Sequence, residues 1–286
     1  MRHVYECPLR WADMDMLGHV NNVTYVDYLQ EARVDMFAVH AGFTGAADLA
    51  EGVVVVRHEV QFVAPLVFRA EPVLIDVWIT RVGAATFTMA YEVYDRDGSG
   101  RTVYLRATSV LTPYVFAGEH PRRLSDQERD VLSRFLEPAE KRDRLGGPGE
   151  PRHVYPVNVR FSDVDIYRHV NNVLYFEYLQ EARIRYIGEL GVRAGEWSDQ
   201  VVARIDVDYR RPMVLRPRPY EVRSWISRLG RRSFTISAQI VDPGEAGGDD
   251  QVLAGSEAVL VSFDRHTQRA SDMLPGQRAA LEGELS

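Results

Sequence analysis

The strongest constraint on this chain is an internal repeat. Residues 13–33, DMDMLGHVNNVTYVDYLQEAR, and residues 163–183, DVDIYRHVNNVLYFEYLQEAR, are identical at 14 of 21 positions at a constant offset of 150. The echo continues at an offset of 147, with VVVRHEVQFVAPL from Val54 against VVARIDVDYRRPM from Val201, and RVGAATFTMAYEVYD from Arg81 against RLGRRSFTISAQIVD from Arg228. A repeat of this length means two copies of one folding unit. The chain length agrees: 286 residues is about two domains' worth at ~150 residues each. Between the copies, residues 137–152 read EPAEKRDRLGGPGEPR, charged and rich in Gly and Pro. That composition predicts a linker, and therefore domains at 1–136 and 153–286.

Each copy reads as a strand, a long helix and then four strands. From Asn22 the apolar residues Val26, Leu29, Met36 and Phe37 keep to one helical face, with Asn21 or Asn22 as N-cap; the second copy offers Phe176, Leu179, Ile187 and Leu190. Runs rich in Val, Ile, Phe, Tyr and Thr predict strands near 53–63, 72–82, 85–95 and 101–115, then 200–210, 219–229, 232–241 and 251–263. Gly83, the Asp97-Gly98 pair and Gly230 fall where hairpins would turn. The Ser125 to Glu128 capping box opens a shorter helix that closes the first copy. One helix followed by a strand meander is an α+β plan in which an antiparallel sheet covers the helix.

Composition narrows the partner. With 45% hydrophobic and 26% charged residues the chain is an ordinary globular protein. The one cysteine, Cys7, can form no intramolecular disulfide, which points to a reducing cytoplasm. Arg2, His3, Glu6, Arg10, Asp13 and Asp15 interrupt any apolar signal core, and no run approaches the ~18 apolar residues of a membrane span. A net charge of −7 disfavours a general nucleic-acid binder, leaving a small molecule as the expected partner. Of the 34 basic residues only Lys141 is a lysine, so an Arg-rich stretch is weak evidence for function.

The duplicated block gathers polar groups where a helix begins: Asp15, His19 and Asn22 in one copy, Asp165, His169 and Asn172 in the other. A helix N-terminus presents unsatisfied N–H groups and a positive dipole end, which suit an oxyanion. A carboxylate beside those donors could activate water at a carbonyl or attack it directly. A thioester fits such a site well, because a thiol of pKa about 8.5 leaves without strong acid assistance. The plainer reading makes Asp and Asn helix caps and the histidines packed or surface residues. A metal held by Asp13, Asp15 and His19 is the other alternative, disfavoured because no further cluster supplies ligands. Glu31 and Arg33, like Glu181 and Arg183, are two residues apart on different helix faces and read as structural. Residues 204–232 hold nine Arg against three acids, whereas 57–85 hold three of each, so the second copy carries a candidate phosphate-binding patch.

The stretches RWADMDMLGHVNN and VRFSDVDIYRHVNN, each followed by Y-x-x-Y-L-Q-E-A-R, resemble the hotdog-fold thioesterases of the 4-hydroxybenzoyl-CoA thioesterase type. The resemblance covers both halves and implies a tandem hotdog acyl-CoA thioesterase whose two domains form an internal pseudo-dimer with sites at the domain interface. It assigns the catalytic carboxylate to Asp15 and Asp165, and the N–H that polarises the thioester carbonyl to Asn22 and Asn172. It assigns coenzyme A phosphate contacts to Arg231, Arg232 and Ser233, beside Phe234; the first half departs there with Ala84, Ala85, Thr86 and Phe87. The H-V-N-N element is also similar to plant acyl-ACP thioesterases, which makes His19 and His169 secondary candidates, although the Asn of that family's pattern is replaced by Leu17 and Tyr167. The implied enzyme needs no metal or resident cofactor, since coenzyme A arrives as part of the substrate. Acyl carrier protein is the alternative carrier, a non-catalytic acyl-CoA-binding role the alternative function, and further homo-oligomerisation is left open.

Overall fold

The structure is a computed structural model that describes residues 1–40, 49, 52–97, 100–139, 143–147, 149–244, 249–267 and 269–285. The chain separates into two compact units, Met1–Arg142 and Asp143–Ser286. The first contains β1 (His3–Cys7), α1 (Asn22–His40), β2 (Val53–Phe62), β3 (Val73–Val82), β4 (Phe87–Asp97), β5 (Gly100–Val115), the short β6 (His120–Pro121) and α2 (Asp126–Ser133). The second repeats the series with β7 (His153–Val157), α3 (Asn172–Ala194), β8 (Gln200–Tyr209), β9 (Tyr220–Leu229), β10 (Ser233–Asp242), β11 (Gln251–Asp264), β12 (Arg269–Ala270) and α4 (Pro275–Glu282).

In the first unit the strands pair antiparallel in the order β1-β3-β4-β5-β2, and in the second in the order β7-β9-β10-β11-β8. The register carries the repeat into detail. A bulge interrupts the β3–β4 pairing between Ile79 and Arg81, and another interrupts β9–β10 at the matching place between Ile226 and Arg228. Both hairpins close on the expected glycines: Gly83 N–H donates to the Thr86 carbonyl at 2.8 Å, and Gly230 N–H to the Ser233 carbonyl at 2.7 Å. Gly98, expected at a third turn, lies outside the described residues.

Each long helix packs on its own sheet through the face expected from its periodicity. Val26, Leu29, Met36 and Phe37 are buried, and Phe37 meets Phe87 edge to face with ring centroids 6.1 Å apart. Phe176, Leu179 and Leu190 are buried likewise, while Ile187 is only half-buried. The Ser125 box closes as expected, with Ser125 N–H donating to Glu128 Oε2 at 2.7 Å and Glu128 N–H donating to Ser125 Oγ at 3.2 Å. The residues expected to form a free linker are partly held. Glu137 N–H donates to the Ile79 carbonyl at 2.8 Å, and the Asp143 carbonyl accepts from Arg204 Nη2 at 3.0 Å. Among the described residues, no helix is long and apolar enough to cross a membrane.

One buried polar group distinguishes the copies. His58 of β2 is wholly buried with Nδ1 2.8 Å from Ser109 Oγ, whereas the second copy has Ile205 at the matching position. Burial first, and then the Arg33 charge, pushes the His58 imidazole down to about 3. An unfolded histidine takes up its proton near pH 6.5, so the unfolded chain binds the extra proton between these values. The neutral-His58 contribution to stability is therefore complete above about pH 6.5 and is lost as pH falls, by up to about 1.4 kcal/mol per pH unit. His58→Ile should flatten the fall of the urea midpoint between about pH 6 and 4. A slope equal to that of the wild type would remove His58 from the account.

Candidate active site

The chain enters each site through one turn of 3-10 helix, Trp11–Asp13 in the first unit and Phe161–Asp163 in the second. It then makes a loop closed by a two-residue bridge, Met14 to Val20 and Val164 to Val170, and runs directly into the long helix. The bridge places the loop and the helix start side by side. Asn21 rather than Asn22 takes the capping position: its side-chain Oδ1 accepts from Val23 N–H at 2.9 Å, and Asn171 does the same for Val173 at 3.0 Å. Asn22 and Asn172 are thus the first helical residues, whose N–H groups have no acceptor within their own helix.

Asp15 and Asp165 sit inside the closed loops. Asp15 Oδ1 accepts from the N–H groups of Leu17 at 2.8 Å and His19 at 3.4 Å, while Asp15 N–H donates to the His19 carbonyl at 2.8 Å. Asp165 Oδ1 accepts from Tyr167 at 2.9 Å and His169 at 3.2 Å, with the same 2.8 Å backbone bond to His169. One carboxylate oxygen therefore fixes the rotamer, and Oδ2 accepts no hydrogen bond among the described residues. His19 and His169 join the loops through their backbones; their rings are half-buried and make no hydrogen bond among the described residues. Both loops need a left-handed residue, which is Gly18 at φ +78° in the first and Arg168 at φ +66° in the second.

The sequence reading passed over the group that holds each loop in place. Asp13 and Asp163, the first acids of the two D-x-D elements, are 4% and 2% exposed. Asp13 Oδ2 accepts from Arg10 N–H at 2.9 Å and from the Tyr28 hydroxyl at 2.5 Å, and Oδ1 accepts from Arg10 Nε at 2.9 Å. Asp163 repeats this with Arg160 N–H at 2.8 Å, Tyr178 at 2.6 Å and Arg160 Nε at 3.0 Å. Burial opposes ionisation of both acids, but the hydrogen bonds from tyrosine and arginine outweigh it and hold them below the usual carboxylate range. The signal was present in the repeat, since Arg10, Asp13 and Tyr28 recur at 160, 163 and 178. Both Asp13 oxygens are thus engaged, and among the described residues no group of three His, Cys, Asp or Glu side chains is placed to hold a metal ion.

Most of the arginines in the basic stretch of the second copy meet acids. Six of its nine arginines are ion-paired: Arg204 with Asp206, Arg216 and Arg218 with Asp242, Arg223 with Glu221 and Asp250, and Arg231 and Arg232 with Asp272. Three of those acids lie beyond residue 232, where counting within the segment missed them. Arg231 and Arg232 are nonetheless 73% and 47% exposed, at the β9–β10 turn beside half-buried Ser233. None of the three hydrogen-bonds to the Asp165 loop among the described residues. Arg33 and Arg183 prove buried and Glu31 and Glu181 exposed, so the pairs divide between the two sides of their helices. Glu181 lines a groove of about 540 Å³ with His153, Tyr155, Ile184 and Glu189, to which no residue of the Asp165 loop contributes. Cys7 is buried, and burial pushes its thiol up to about 12, which leaves it unreactive.

Two buried tyrosine–carboxylate anchors, two closed loops and two capped helix starts are therefore built alike. The profile of the Thioesterase-like superfamily matches residues 9–135 and 159–281, taking in both. The chain belongs to this superfamily. It consists of two tandem hotdog units and is a thioester hydrolase by descent. Long-chain acyl-CoA thioesterase FadM of Escherichia coli (strain K12) is 34% identical over 134 residues, covering 45% of this chain and 90% of that protein. A crystal structure assigned as an oleoyl thioesterase from Lactobacillus plantarum superposes with a TM-score of 0.69 at 17% identity, covering 93% of this chain and 98% of that one. An acyl-ACP thioesterase from Bacteroides thetaiotaomicron superposes with a TM-score of 0.66 at 16% identity, covering 91% and 97%. At such identities these two structures speak for the double-hotdog fold alone.

The capping assignment is directly testable. Asn21→Ala should destabilise the chain by about 1 kcal/mol in urea unfolding, whereas Asn22→Ala, which keeps its backbone N–H, should cost well under half of that. Equal costs for the two would contradict the capping geometry.

Proposed function

We propose that this protein hydrolyses acyl-CoA thioesters to the free acid and coenzyme A. The observation that carries the reading is the carboxylate of Asp15 or Asp165, locked by its own loop through one oxygen and open at the other, next to a helix start. The open oxygen activates water or attacks the thioester carbon. The N–H of Asn22 or Asn172 receives the charge that develops on the carbonyl oxygen, supported by the helix dipole. The coenzyme A thiolate leaves unaided, its pKa being about 8.5. Arg231 and Arg232 would have to exchange Asp272 for a phosphate, which their exposure allows. The relative FadM, named for long-chain acyl-CoA, supports acyl-CoA as the substrate class. The boundaries at residues 136 and 153 and a cytoplasmic setting are part of the same reading. No metal or resident cofactor enters the scheme.

The test is thiol release from acyl-CoAs of short, medium and long chain and from an aromatic acyl-CoA. Asp15→Asn and Asp165→Asn should each remove turnover at its own site, and the double variant should fall by about 10²-fold or more. Full turnover in the double variant would reject the carboxylate assignment. Turnover of acyl carrier protein thioesters alone would change the carrier, and release from neither would make the chain a binding protein.

A further inference from the structure

We propose that the buried acids Asp13 and Asp163, with Tyr28 and Tyr178, are positioning residues that set the catalytic loop against the helix end. This inference rests on the proposed thioesterase activity. Three separate pieces of chain meet at each of these residues, two of them at the carboxylate and the third at the backbone carbonyl. The entering segment donates through the backbone and side chain of Arg10, and the body of the helix donates through the hydroxyl of Tyr28. The third is the helix start: the Asp13 carbonyl accepts from Asn21 N–H at 2.9 Å, one residue before Asn22. Asp163 joins Arg160, Tyr178 and Asn171 in the same way, the last at 3.0 Å. Asp15 and Asp165 lie two residues further along, so a shift of the anchor is passed to the acid through Met14 or Val164.

The backbone of the loop has few outside ties among the described residues. Its internal bonds run between residues 15 and 19, and its further tie is Val20 N–H to the Leu66 carbonyl at 2.8 Å, matched by Val170 N–H to the Met213 carbonyl at 2.9 Å. These bonds shape the loop but leave the helix out. The Asp13 and Asp163 networks join each carboxylate-bearing loop both to its helix start and to a tyrosine six residues into that helix. Burial makes the joint stiff, because a hydrogen bond to a desolvated charge is short and strong. It also makes the two acids poor candidates for the chemistry, since both oxygens are already engaged.

A misplacement of about 1 Å between reacting groups costs on the order of 10²-fold in rate. The test is therefore the Tyr28→Phe/Tyr178→Phe double variant, which deletes one hydroxyl at each anchor and keeps the packing. It is assayed by thiol release beside the wild type, with the fraction of folded protein checked by thermal melting. A fall in kcat of about tenfold or more per folded molecule, with KM within about twofold, is the expected result. An unchanged kcat, or kcat and KM altered together, would overturn the positioning role. If the double variant does not fold, Arg10→Gln/Arg160→Gln takes its place, because those side chains are 67% and 63% exposed. The same split between kcat and KM is then expected, in the same direction. A wild type inactive on every thioester would overturn the activity and this role together; an active wild type with unaffected variants would overturn the role alone.

Discussion

A carboxylate buried beneath each of the Asp15 and Asp165 loops is the interaction on which the local architecture rests. Taking Asp13 or Asp163 out of water is unfavourable unless its charge is met, and here an arginine and a tyrosine meet it. Because the donors come from the segment before the acid and from within the helix, satisfying the charge also fixes where the helix begins. The N-cap and the closed loop follow from that one placement. The sheet supplies a second wall: Tyr175 donates nothing to these acids, but its hydroxyl accepts from Met213 N–H at 2.8 Å and ties the helix to the segment between β8 and β9.

The long helices, the strand meander and the capping box were legible in the sequence because each is written in short-range chemistry: periodic apolar residues, alternating strands, and Ser125 three residues before Glu128. Which asparagine caps the helix was not legible, since adjacent residues of one type carry equal local preference, and only the backbone turn at residue 21 decides between them. The role of Asp13 escaped for another reason. Local pattern gives no sign that an acid is buried, and its tyrosine partner stands 15 residues away. The duplication did hold that information, in the joint recurrence of Arg10, Asp13 and Tyr28, but only for a reader who already expected them to meet.

Charge is where a count along the sequence says least about the folded surface. Residues 204–232 have a strong basic excess when counted in line, but strands bring acids from residues 242 and 250, and the chain before α4 brings Asp272. Surface pairs of this kind add little to stability. Their effect is on the potential, which they level at most of the nine positions. What survives is a narrow basic tip at the β9–β10 turn, present in one half and replaced by alanines in the other.

The closed loop has an evolutionary consequence. Its shape is held by backbone groups and by one oxygen of its own aspartate, so the same shape persists while the side chains along it change. The two copies show the freedom this gives: Met16, Leu17 and Gly18 stand where Ile166, Tyr167 and Arg168 stand in the other half, around the same hydrogen bonds. The loop behaves as a fixed post with an exchangeable collar. Within one polypeptide, each copy is then free to vary its collar independently while the acid at the centre stays where it is.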